Sequence, residues 1–192
     1  MEPPSGDDRQ RLLHLLKTKS YREGRVVLAS GKESDFYIDC RQTSLCAEGH
    51  RLIGRLFLKL IQENFPEATA VGGPTLGADP LVSAVSLTSM LEGSEKPLDA
   101  FIVRKEAKGH GTGAWIEGVA NLEEGDKVVM LEDVVTTGGS SLKAVRHAEE
   151  AGLNVLGLLV LVDRQEGGRE NIERAGYKLV SLYTRTDFIA AL

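Results

Sequence analysis

Along most of the chain, short unbroken apolar runs alternate with stretches whose apolar residues recur every three or four positions. Leu52, Ile53, Leu56, Phe57, Leu60 and Ile61 form such a stripe, which predicts a helix over 48–64 that Pro66 stops. Beyond it the pattern predicts strands at 69–71, 100–104, 127–131, 155–162 and 178–183, with a further short one at 115–120. Helices fall between them at 78–91, 140–151 and 168–175, the last two closed by Gly152 and Gly176. The run VLGLLVLV at 155–162 has no polar alternation, as expected of a strand covered on both faces. This order of elements predicts an α/β fold with a parallel sheet flanked by helices.

The first stretch of chain, residues 1–45, lacks this rhythm. Leu12, Leu13, Leu15 and Leu16 predict an amphipathic helix over 9–19, and strands at 24–30 and 36–40 flank a polar turn. These elements are expected to form a small cap on the main sheet. No repeat, low-complexity tract or linker interrupts the sequence, so residues 1–192 are expected to be one domain.

Charge and cysteine content narrow the classes. With 42% hydrophobic and 27% charged residues, a chain of 192 residues can bury one core and has no disordered bias. A net charge of −5 argues against broad contact with nucleic-acid backbones, so any anion site must be a local cluster of Lys and Arg. Cys40 and Cys46 have no His at zinc spacing and form no disulfide framework, which suits a reducing compartment. The N-terminus lacks a basic-then-apolar leader and no apolar run could span a bilayer. The expectation is a soluble cytoplasmic protein with neither nucleic-acid nor membrane partners.

The chemistry is expected where strands end, because ligands of such sheets bind beyond the carboxyl ends of the strands. VVMLEDVVTTGGSS (128–141) joins a strand to two carboxylates, Glu132 and Asp133, and then to a Thr/Gly/Ser loop. A helix starting near Gly139 offers unpaired N–H groups and a positive dipole end to a phosphate. Thr136, Thr137, Ser140 and Ser141 add hydroxyls, while the carboxylates suit ribose hydroxyls or a metal beside that phosphate. The segment is neither a Walker loop nor a dinucleotide fingerprint. RKEAKGHGTG (104–113) concentrates Arg104, Lys105, Lys108 and His110 among glycines, as suits a multiply charged leaving group such as pyrophosphate. Taken alone, it equally fits a solvated hairpin tip. GGPTLGADP (72–80) offers a further backbone anion site or a tight turn, with Asp79 near it. Arg164 offers a bidentate partner for a carboxylate, or an ion pair to Asp163 or Glu166. His14 and His147 read as packing or surface residues, and Trp115 as packing.

Together these segments resemble type I phosphoribosyltransferases, and specifically the orotate phosphoribosyltransferase family. VVMLEDVVTTGGSS resembles the 5-phosphoribosyl 1-diphosphate (PRPP) signature, and RKEAKGHG the catalytic loop. VVLASGKESDFYIDCR is similar to the N-terminal orotate-side segment, and VGGPTLGADP to the pyrophosphate loop. The chain departs from some members at Ala29, with Lys32 after the glycine, and at Thr75-Leu76-Gly77, where others carry lysines. The resemblance implies a type I fold with an N-terminal hood and transfer of ribose 5-phosphate from PRPP to orotate in pyrimidine synthesis, with Mg²⁺ held mainly by PRPP rather than by side chains. It implies PRPP contacts from Arg104, Lys105, Lys108, His110, Glu132, Asp133, Val134, Val135, Thr136, Thr137, Gly138, Gly139 and Ser140. Lys108, His110 and Asp133 would be catalytic, and Thr136 and Arg164 would touch orotate. It also implies a homodimer whose basic loop serves the neighbouring site. The alternatives are the same reaction on another base, and a PRPP-sensing regulator that has kept the fold.

Overall fold

The computed structural model describes residues 6–27, 33–106 and 115–189. An N-terminal helix α1 (Gly6–Leu15) runs into a wider π turn (Leu16–Ser20). Strands β1 (Tyr21–Val27) and β2 (Glu33–Ile38) then pair antiparallel in a two-stranded sheet of their own. A single turn, α2 (Arg41–Ser44), precedes the long helix α3 (Ala47–Asn64). There Cys46 caps the first turn, its sulfur accepting from the Gly49 N–H at 3.4 Å.

The remaining strands are β3 (Ala70–Pro74), β4 (Asp99–Val103), β5 (Ile116–Glu117), β6 (Lys127–Val135), β7 (Asn154–Asp163) and β8 (Lys178–Thr184). They form one sheet in the order β5-β4-β3-β6-β7-β8, parallel except for β5. Helices α4 (Asp79–Leu91), α5 (Gly139–Glu150) and α6 (Gly168–Arg174) connect them, and a last turn α7 (Arg185–Ile189) follows β8.

The strand side chains sort into two cores by alternation. Val129, Leu131, Leu159 and Leu161 pack with α1, α3, α4 and Phe36. Val128, Met130, Leu158 and Val160 pack with Ala144, Val145 and Ala148 of α5 and Ile172 of α6. Both faces of β6 and β7 are therefore dry, which is why their sequences read as continuous apolar runs. Each such Val or Leu contributes about 1.5–3 kcal/mol by leaving water.

Two expectations about the main sheet shift. The strand expected at 127–131 continues to Val135, because β7 pairs with it through Glu132↔Val160 and Val135↔Asp163. Glu132 and Asp133 thus lie within the strand rather than past its end. The strand expected at 115–120 shortens to two residues and gives way to a 3₁₀ turn (Val119–Asn121), entered through Gly118 at φ 87°. The turns α2 and α7 are too short for apolar spacing to announce them.

Candidate active site

A cavity of about 410 Å³ opens at the carboxyl ends of β3, β4 and β6. Its wall joins Thr75 and Gly77 after β3, Arg104 and Lys105 after β4, and Glu132 and Asp133 of β6. Three of the four segments that the sequence placed on one rim therefore meet here.

The two carboxylates diverge, as neighbours on a strand must. Glu132 faces α5, where the buried Ser141 hydroxyl donates to its Oε2 at 2.8 Å. Asp133 faces the other way. A Cβ built on Gly77 would stand 2.5 Å from its Oδ1, and the Cys40 sulfur lies 3.9 Å from its carbonyl. Burial is the largest influence on both acids. It pushes the Glu132 carboxyl up to about 8, with repulsion from Asp133 adding to it and the Ser141 donor opposing it. Asp133 is also raised, against the pull of the Val134 N–H at 2.9 Å and of Arg41. Such a pair is an acceptor set whose charged form is favoured by donors or positive charge brought beside it.

Beside the acids, the chain enters α5 through Gly138 at φ 79°, a conformation that favours glycine, and no side chain caps the helix. Its first N–H groups lack intrahelical partners. Thr136 is half-buried, while Thr137, Gly139 and Ser140 are exposed. Ser140 and Val134 are on the cavity wall, whereas the Val135 side chain is buried in the α5 core. Thr136, Thr137, Gly138 and Gly139 form the adjoining loop, whose Thr137 carbonyl accepts from Asn171 of α6 at 3.0 Å.

Arg104 is held by Glu117 at 2.9 Å, and its N–H donates to the Trp115 carbonyl at 2.8 Å. Lys108 and His110 lie outside the described residues, as do Ala29 and Lys32. Arg164 stands apart from this cavity wall, donating to the Phe36 carbonyl at 3.1 Å and pairing with Glu166 at 2.8 Å. Its guanidinium lies 5.7 Å from the Phe36 ring centre. Asp163 does not pair with it: its Oδ1 accepts from the Gln165 N–H at 2.8 Å and its Oδ2 from Arg169 at 3.1 Å. Asp79 accepts from the Thr75 hydroxyl at 2.8 Å at the foot of the β3 loop.

The cavity has wall residues that the sequence did not single out one by one, though Asp39 and Arg41 end the segment similar to the orotate-side one. Asp39 and Arg41 follow β2 and are bonded to each other at 2.8 Å, the guanidinium holding the Asp39 carboxyl below its usual range. Lys143 and His147 line the α5 side. Their spacing of four puts them on one helix face, which was the available signal. His147 does pack, as expected, but against Trp115 and on the cavity wall. Among the described residues no three His, Cys, Asp or Glu side chains converge as a metal cluster, and no helix is long and apolar enough to cross a membrane.

Residues 46–181 match the phosphoribosyl transferase domain family. An orotate phosphoribosyltransferase of Sorangium cellulosum is 51% identical over 98% of this chain and 97% of its own length. That of Aquifex aeolicus is 44% identical, over 95% and 98%. Among solved structures, the Mycobacterium tuberculosis orotate phosphoribosyltransferase in complex with PRPP superposes with a TM-score of 0.74 at 32% identity, covering 96% of this chain and 93% of that one. A fold with this strand order, a carboxylate pair beside a glycine-entered helix, and relatives of this identity over the full length together place the chain in the orotate phosphoribosyltransferase family.

Proposed function

We propose that the protein transfers ribose 5-phosphate from PRPP to orotate, giving orotidine 5′-phosphate and diphosphate in pyrimidine synthesis. The observation that carries this reading is one cavity in which Glu132 and Asp133 adjoin the uncapped start of α5 and face Arg104 and Lys105. A ribose carrying a 5-phosphate and a 1-diphosphate needs those three kinds of group around it.

In this reading residues 136–140 hold the 5-phosphate by N–H and hydroxyl donors, with Val134 and Val135 contributing backbone. Glu132 and Asp133 accept from the ribose hydroxyls. The orotate ring nitrogen bonds to ribose C1 and gives its proton to the departing diphosphate or to water, while the C1–O bond breaks and its electron pair leaves with diphosphate. Positive charge develops on the ribose, which Asp133 stabilises, and negative charge on the leaving group, which Arg104 and Lys105 meet. The family resemblance assigns Lys108 and His110 to that same diphosphate, and Thr136 and Arg164 to orotate. The acids and phosphates together fit Mg²⁺, a hard cation that keeps water and substrate oxygens as ligands, so PRPP would supply most of its shell. Bound there, it would neutralise charge on the diphosphate. A cytoplasmic homodimer with shared sites, built from single-domain chains whose first 45 residues cap the sheet, completes the proposal.

The test is diphosphate release from PRPP and Mg²⁺ with a panel of bases. Release with orotate alone is expected. Release with a different base would reassign the acceptor, and none with any base would favour a PRPP-binding regulator.

A further inference from the structure

Trp115 is the first described residue after the basic segment and the only tryptophan in the chain. Its indole lies flat on the His147 imidazole, with ring centres 4.0 Å apart and 10° between planes. Lys143, one turn earlier on α5, places its ammonium 5.0 Å from the indole centre. The Trp115 carbonyl meanwhile accepts from the Arg104 N–H, so the indole's anchorage passes directly to the strand end that carries Arg104 and Lys105.

The imidazole itself is oriented. Its Nδ1 lies 3.0 Å from the Glu150 carboxylate, which can only accept, so Nδ1 carries the hydrogen. Nε2 is buried without a hydrogen-bond partner among the described residues. The stack is thus maintained by the faces of the two rings. Lys143 and His147 also line the cavity that holds Glu132, Asp133, Arg104 and Lys105.

We propose that the Trp115–His147–Lys143 stack is a positioning element that clamps the cationic end of β4 to α5, fixing at Arg104 and Lys105 the point from which the basic segment reaches the diphosphate part of a substrate. It rests on the proposed reaction for the identity of the anion. The helix that starts at the phosphate loop thereby also carries, two turns further on, the mount for the basic segment. Orotate, in the proposed arrangement beside Arg164, lies outside its reach.

The test compares His147→Ala and His147→Phe with the wild type in steady-state kinetics and in a titration of Trp115 fluorescence with inorganic diphosphate and Mg²⁺. Loss of one aromatic pair corresponds to about two- to tenfold, so His147→Ala should raise the KM for PRPP and the diphosphate Kd by that factor. The KM for orotate should stay within about twofold, which a general loss of folding would not allow. His147→Phe keeps the ring face and discards both nitrogens, and should return both constants close to wild type. Wild-type constants in His147→Ala would overturn the clamp. So would a Phe variant as impaired as the Ala variant, which would give the role to a ring nitrogen. If the wild type releases no diphosphate with orotate, the proposed reaction fails instead, while the diphosphate titration still reads the clamp.

Discussion

At the scale of single residues, burial sets the chemistry of the acid pair. Glu132 is pushed up to about 8 by burial and by Asp133, so the empty site holds it mainly neutral at pH 7. Its ionised form is the better acceptor for ribose hydroxyls. The free-enzyme profile is what kcat/KM for PRPP reports, so that constant should rise with pH until about 8 and then level, and Glu132→Gln should lower it and remove the limb. The sign for stability is opposite. A carboxyl raised on folding stabilises below its ordinary range and loses that contribution as pH climbs through its folded value. The unliganded Tm should therefore fall between about pH 4.5 and about pH 8 and then level, less so in Glu132→Gln. Gly77 governs the other acid. A methyl there would meet the Asp133 carboxylate at 2.5–2.8 Å, the movable end of a side chain rather than backbone. The fold can accommodate Gly77→Ala by turning Asp133 aside, so Tm should change little. The KM for PRPP should rise by roughly tenfold or more, because the acceptor is displaced. An unaltered KM would remove Asp133 from the ribose.

At the scale of elements, β6 and α5 act as a unit because Ser141 reaches back to Glu132 across the loop between them. Removing that donor in Ser141→Ala withdraws a bond that favours the charged carboxyl, so the limb of kcat/KM for PRPP should move to higher pH. A profile that keeps its midpoint would mean that the hydroxyl serves packing alone. The elements that were legible in the sequence are those whose period is set by a core. β7 and α3 show their burial residue by residue, and the glycine-entered start of α5 is announced by its loop. What was not legible follows from contacts distant in sequence. The extension of β6 through two acids depends on pairing with Val160 and Val162 of β7, and polar side chains conceal it. The arrival of Asp39 and Arg41 at the cavity depends on how the β1–β2 sheet meets the main one. The Trp115–His147 stack joins positions that carry no shared motif. Arg164 was read as an orotate contact or an ion pair to Asp163 or Glu166. The ion pair is formed, and orotate would have to compete with or complement it.

At the scale of the whole molecule, the implied homodimer can be tested without seeing the interface. The cationic end of β4 carries Lys105 next to the cavity of its own chain, yet the family resemblance sends the segment beginning there to the neighbouring site. Lys105→Ala and Asp133→Asn each remove one side of the charge complementarity and should each be severely impaired as pure proteins. If one subunit supplies the basic segment and the other the acid pair, a mixed dimer contains one site bearing both defects and one bearing neither. Unfolding and refolding the two variants together in equal amounts makes about half of the dimers mixed, so activity should recover to roughly a quarter of wild type. If each chain serves its own cavity, every site in every dimer keeps a defect and mixing recovers nothing. A monomer in sedimentation would give the same null result and would also leave Lys105 acting on the cavity it already lines. Recovery therefore depends on exchange between chains, whereas the clamp from Trp115 to α5 operates within one chain in either case, setting where the segment departs rather than where it ends.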